Sequence, residues 1–221
     1  MAAFHPSRGS LPAEIAVFPL SGALLLPRGK LPLNIFEPRY LALVEDSLAN
    51  RRLFAMIQPD PNAPPNKHGP GLYQIGCLGR LTSFNETDDG RFMIALNGLA
   101  RFAVAEELVG ARGYRRVRAD YSAYPGDIDL SPEPSGVERE ALLMALKAYF
   151  TSQKFDANWD AIHRMPDESL VVTLSMVCPF EPAEKQALLE APSEADRAAT
   201  LLALLQMGAA GSDLPPGRQA S

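Results

Sequence analysis

Apolar residues follow two different rhythms along the chain. Up to about residue 124 they come in short runs broken by Pro and Gly: EIAVFPL, ALLLP and KLPLNIF, then LFAMIQP at 53–59. Such breaks predict short, bent strands, because Pro cannot donate to the interior of a ladder. One helix is embedded among them. Pro38 suits a first helical position, and Glu37 before it is biased towards extended backbone. Tyr40, Leu41, Val44 and Leu48 recur at a spacing of three to four, which predicts a helix over 38–49 that ends near Asn50. Residues 59–71 hold five prolines and two glycines and predict an exposed loop. IGCLGRLTSF, RFMIALNG, LARFAVAEEL and YRRVRADYSAY read as further strands, the first two joined by the turn NETDDG with its tight Asp89–Gly90 step. In the last, Val117, Ala119 and Tyr121 alternate with Arg116, Arg118 and Asp120, giving one buried and one wet face.

After residue 136 the period becomes helical. VEREALLMALKAYFTSQ places Val137, Leu142, Ala145, Leu146 and Tyr149 in one stripe. SLVVTLSMV is apolar throughout and predicts a buried helix ended by Pro179, and PAEKQALLEA starts at Pro182. SEADRAATLLALLQMG has Ser193 as N-cap, Asp196 three residues on, and Gly208 as the stop. The expectation is an α+β chain: a flexible start (1–13), a β domain (14–124), a linker (125–136), a helical bundle (137–207) and a flexible tail (208–221). Charge divides the same way. Residues 1–126 carry 14 Lys/Arg against 11 Asp/Glu, and residues 127–221 carry 7 against 15. Neither half is basic enough to mark a nucleic-acid binder on charge alone.

Few residues suggest chemistry. Neither a P-loop nor a G-x-G-x-x-G occurs, which argues against nucleotide hydrolysis. The histidines, His5, His68 and His163, fall in a terminus, a Pro-rich loop and a helical linker, with no metal-ligand spacing. Cys77 and Cys178 sit in apolar runs and read as buried free thiols of a reducing, cytoplasmic compartment. No G-x-S-x-G elbow is present, and the proximity of Ser21 and Lys30 does not make a dyad. No cofactor is expected. Glu37, Arg39, Arg80 and Arg101 read either as ligand contacts or as ion pairs that tie strands to the helix. Arg112, Arg115, Arg116 and Arg118 beside Tyr114 and Tyr121 read as an RNA surface or as the solvated face of a strand.

PLNIFEPRY at 32–40 is the most specific string in the chain. With the preceding FPLSGALLLPRGK it resembles the opening of the N-terminal domain of Lon proteases. IGCLGRL (75–81), DGRFMIALNGLARFAV (89–104) and the helical stretch 182–205 are similar to later parts of that domain, so the resemblance covers 14–207. Arg28-Gly29 after Pro27 departs from the family, which often has Gly directly. The resemblance implies a PUA-like β-barrel or sandwich with one embedded helix, then a helical bundle. Phe36, Glu37, Pro38, Arg39, Tyr40, Arg80 and Arg101 would be its structural motif residues. It also implies recognition of proteins or exposed apolar peptides, without ATPase or Ser–Lys protease activity in this chain, with a separate ATP-dependent protease as a candidate partner. Unfolded segments would dock by strand addition or side-chain insertion. Met56, Phe84, Phe92 and Met93 are the candidate contacts, core packing being the alternative for each. No membrane contact is expected, and an RNA-binding PUA-like protein or a hydrolase remains as another reading.

Overall fold

A computed structural model describes residues 11–128 and 136–211. The six strands are β1 (Glu14–Pro19), β2 (Lys30–Ile35), β3 (Leu53–Ile57), β4 (Ile75–Glu86), β5 (Phe92–Ala111) and β6 (Tyr114–Asp120). They are ordered β2-β5-β4-β3-β1-β6, and a further β5–β6 pairing closes five of them into a barrel. β1 and β3 run parallel; the other pairs are antiparallel. The α+β expectation, a β-barrel with one embedded helix followed by a helical bundle, is what the chain builds.

β5 makes this closure possible. Asn97-Gly98 predicts a break between two strands, yet the chain runs through it as one strand of 20 residues. On one side it pairs with β4. On the other it pairs first with β2, up to Asn97, and then with β6 from Ala103. Gly98 is there for close approach and not for a turn. A Cβ on it would stand 1.9 Å from the carbonyl oxygen of Leu26. The Gly98 amide and carbonyl bond to Gly29 and Arg28, which seats the segment before β2 against β5. That segment, ALLLP, was expected to be a strand. It is instead irregular, with Leu24, Leu25 and Leu26 all buried between barrel and helices.

Two hydrophobic clusters result. Val17, Ala55, Leu78, Phe102 and Val117 fill the barrel. The second runs without a break from Phe54, Met56 and Tyr40 outside the barrel to Leu146, Leu174 and Leu201 of the helices. β3 lies between them, so Phe54 and Met56 face one cluster while Ala55 and Ile57 face the other. Burial on both faces explains why LFAMI shows no alternation.

The helices are α1 (Pro38–Ala49), α2 (Arg139–Gln153), α3 (Trp159–Arg164), α4 (Asp167–Val177), α5 (Pro182–Glu190) and α6 (Glu194–Gly211). α1 occupies the residues its spacing predicts. α3, short and packing only the half-buried Trp159 and Ile162 against the core, is capped by Asn158, whose side chain accepts the Ala161 N–H at 3.0 Å. α6 begins with the Asp196 N–H bonded to Ser193 Oγ at 3.1 Å. It does not stop at Gly208, which is helical because α2 packs there: a Cβ would come within 2.5 Å of the Tyr149 ring. The expected linker 125–136 begins as a short 3-10 turn, Pro125–Asp127. Most of that linker, the expected flexible start up to residue 10, and the tail from 212 lie outside the described residues.

Gly98→Ala is expected to overpack this contact and cost about 1–3 kcal/mol or more. Urea denaturation would show a lower midpoint at unchanged slope. A midpoint equal to that of the parent would mean that the 24–29 segment yields freely.

Candidate functional site

Arg101, on β5, is buried and locks the barrel to the helices. Its Nε and Nη2 donate to the Asp127 carboxylate at 2.7–3.2 Å, and its own backbone N–H donates to Asp127 Oδ2 at 2.8 Å. Its Nη1 donates to the carbonyls of Leu189 and Ala191. Arg197 Nε donates to Leu188 O at 3.0 Å, and the Tyr124 hydroxyl reaches Glu190 O. The C-terminal carbonyls of α5, which have no partner inside the helix, are thus met by side chains from a strand, a loop and the next helix. The Tyr124 ring lies under the Arg101 guanidinium at 3.8 Å, adding a cation–π contact. Burial, with Arg101 adding to it, pushes Arg197 down to about 10. A cavity of about 270 Å³ opens beside this joint. Of its charged lining, Arg28, Arg101, Asp127 and Glu194 already hold elements together, and Arg197 is bonded through Nε while its buried Nη2 has no hydrogen-bond partner among the described residues.

The other sequence candidates separate. Met56 and Phe92 are 2% and 7% exposed and belong to the core. Phe84 and Met93 are 39% and 44% exposed, but on opposite faces of the sheet. Cross-strand register explains this. Leu33, Ile94 and Phe84 form one row and Ile35, Phe92 and Glu86 another on the same face, while Asn34, Met93 and Asn85 form the row between them on the other face. The Phe84 and Phe92 rings meet edge to face at 4.9 Å. Phe36, grouped with the motif residues, is 61% exposed. It continues the β2 alternation onto the Met93 face, with the Arg91 guanidinium 5.9 Å from its ring. Ile35 inward and Phe36 outward is the strand alternation by which the sequence itself marks Phe36 as a surface residue.

The remaining motif residues shape the entry to α1. Glu37 is the extended N-cap residue, and its carboxylate accepts from Arg39 Nε and Nη2 at 3.0 and 2.8 Å instead of capping the helix. Pro38 opens the helix. Tyr40 is buried, its ring 4.0 Å from that of Phe18 and 4.5 Å from the Arg39 guanidinium. Arg80 lies within β4, opposite Leu53 and Asn97.

Each arginine of the basic cluster has a carboxylate partner. Arg112 binds Glu45 and Asp46, Arg115 binds Glu107, Arg116 binds Glu14, and Arg118 binds Glu14 and Glu106. Arg115 is buried and also donates to Pro70 O, while Asn66 donates to Glu107 at 2.7 Å. The Pro-rich loop is therefore tied to the barrel. Burial raises the Glu107 carboxyl, but the Arg115 and Asn66 hydrogen bonds outweigh it and leave the group below the usual range. Cys77 and Cys178 are free and buried, and burial pushes the Cys178 thiol up to about 12, far from a reactive thiolate. Among the described residues no His, Cys, Asp or Glu cluster could hold a metal. Among the same residues no helix is long and apolar enough to cross a membrane.

A β-barrel braced by a helical bundle defines the α+β class of this chain. Residues 14–207 match the family described as ATP-dependent protease La (LON) substrate-binding domain, and the chain belongs to it. It is 27% identical over 200 residues to Lon protease 1 of Bdellovibrio bacteriovorus, covering 87% of this chain and 24% of that protein. It is 30% identical over 92 residues to the Lon protease of Desulfosudis oleivorans, covering 41% of this chain and 11% of that one. The chain thus spans a quarter or less of the length of these two proteases. Its fold is that of a Lon N-terminal domain protein from Xanthomonas campestris, with TM-score 0.57, 22% identity and coverage of 86% of this chain and 97% of that one. The N-terminal domain of a Mycobacterium avium complex Lon protease gives TM-score 0.59 at 16% identity, covering 87% and 97%.

Asp127→Ala leaves Arg101 charged and buried without its carboxylate, and is expected to cost about 3–5 kcal/mol by denaturant titration. Glu107 contributes stability that is fully present above its unfolded value and is lost as pH falls through its lower folded value. Replacing Arg115 by Met should therefore raise the Glu107 value in an NMR titration and shift acid unfolding to higher pH. An unchanged titration would remove Arg115 as the cause.

Proposed function

We propose that this chain is a non-catalytic recognition module that binds exposed apolar segments of other polypeptides. The observation that carries this reading is the solvent face of β2 and β5, where Phe36 and Met93 stand exposed on a sheet braced from behind by Phe92 and Ile94. Exposed aromatic and Met side chains on a rigid support suit adaptable apolar contacts. Membership of the Lon substrate-binding family supports a substrate-recognition role. Within that role the chain acts as an adaptor or chaperone-like module of cytoplasmic protein quality control, handing clients to a separate ATP-dependent protease. Phe84 extends the surface around the strand edge, and Met56 serves it only through the core.

The RNA reading is not favoured, because the arginines that would meet phosphates are already held by carboxylates.

An array of peptides from unfolded proteins tests the proposal. Phe36→Ala and Met93→Ser, with circular dichroism unchanged, should each weaken capture about fivefold or more. Capture should weaken only modestly between low and high salt, far less than contact with a phosphate backbone would. An array that binds nothing would sink the reading. Binding that collapses with salt and ignores both substitutions would do the same.

A further inference from the structure

The ribbon formed by β2, β5 and the end of β4 has two outer edges, and they are not alike. On β2 the edge carries Pro32 at its middle, with no N–H to offer, and Lys30 at its start. Both devices discourage a further strand from pairing. On β4 the pairing with β3 ends at Arg80, and the last backbone bond on that side runs from Leu81 N–H to Arg52 O at 2.8 Å. Beyond it, Thr82 falls at a register shift as the extra residue of a bulge, and Ser83–Glu86 pair with β5 alone. Among the described residues no backbone group bonds to their other side. All five residues are exposed, and none is Pro, Lys or Arg. Backbone groups of successive strand residues point alternately to the two sides, so this edge presents unpaired N–H and C=O groups to solvent.

The surroundings state what would fit. Phe84 stands at the middle of the edge against the Phe92 ring. Exposed Arg51 and Arg52 lie at the barrel end, where Arg52 O holds Leu81, and Glu86 and Asp88 lie at the tip. The edge is apolar at its centre and oppositely charged at its two ends.

We propose that the 82–86 edge of β4 takes up an extended segment of a client polypeptide as an added strand. The segment is five or six residues long, apolar at alternate positions, basic where it crosses Glu86 and Asp88, and acidic where it crosses Arg51 and Arg52. This inference rests on the polypeptide-recognition reading above and gives it a binding mode. Main-chain bonds supply affinity without regard to sequence, and the charged ends with Phe84 supply the preference.

The test uses two fluorescein-labelled peptides of opposite polarity, Glu-Thr-Val-Thr-Val-Lys and Lys-Thr-Val-Thr-Val-Glu, titrated with the full chain by fluorescence anisotropy. The tighter peptide is then N-methylated at its odd or at its even residues. One pattern should weaken binding about tenfold or more, and the other should leave it within about twofold, because only alternate N–H groups face β4. Glu86→Lys should weaken the same peptide, and changing the peptide's lysine to glutamate should restore it. Equal affinity for both methylation patterns overturns strand addition. If Phe36→Ala still reduces capture on the array, the recognition reading survives that result; if neither the peptides nor the array bind, both fall. A concentration-dependent dimer by light scattering that the peptides cannot dissociate would assign the edge to a second copy of this chain and overturn the proposal.

Discussion

The pairing of Arg101 with Asp127 is the constraint from which the rest of the architecture hangs. A guanidinium and a carboxylate taken out of water are costly unless every donor and lone pair is met. Here the guanidinium also satisfies carbonyls at the end of α5, and Tyr124 covers its face. One side chain thus fixes the strand that runs through the barrel, the turn that leaves it, and the end of a helix in the bundle. Hydrophobic contact alone would permit the bundle to slide over the barrel. The directional bonds of this joint select one seating.

That seating matters for function because β5 belongs to both regions. Its second half closes the barrel and carries Arg101. Its first half carries Phe92, Met93 and Ile94 into the ribbon where the candidate surface lies. The surface is therefore built on a strand whose far end is anchored in the core. Exposed side chains held this way are ordered before a ligand arrives, which lowers the entropic cost of binding.

Much of this was legible in the sequence. Pro38 and the spacing of Tyr40, Leu41, Val44 and Leu48 gave α1 its limits, and Pro179 and Pro182 bracketed the turn between α4 and α5. Gly98 and Gly208 were misjudged for a physical reason. A glycine needed for close approach looks, along one chain, like a glycine needed for a turn, and only the Leu26 carbonyl and the Tyr149 ring tell them apart. Arg101 and Asp127 lie 26 residues apart, and no local pattern links them. The candidate surface was the least legible part. Met56 and Phe84 are equally apolar letters, and what separates them is that β3 is covered on both faces while the end of β4 is not.

The unequal dressing of the hairpin strands also sets a hierarchy of motion. From Phe92 to Asn97 β5 is bonded to β2 on one flank and β4 on the other, so its amides there are released only when this ribbon opens. The end of β4 is bonded on one flank, and its outward amides face water in the native state. Hydrogen exchange would then divide one hairpin into a slow strand and a fast one. The tip can loosen and recover while the barrel, and the joint at Arg101, stay shut.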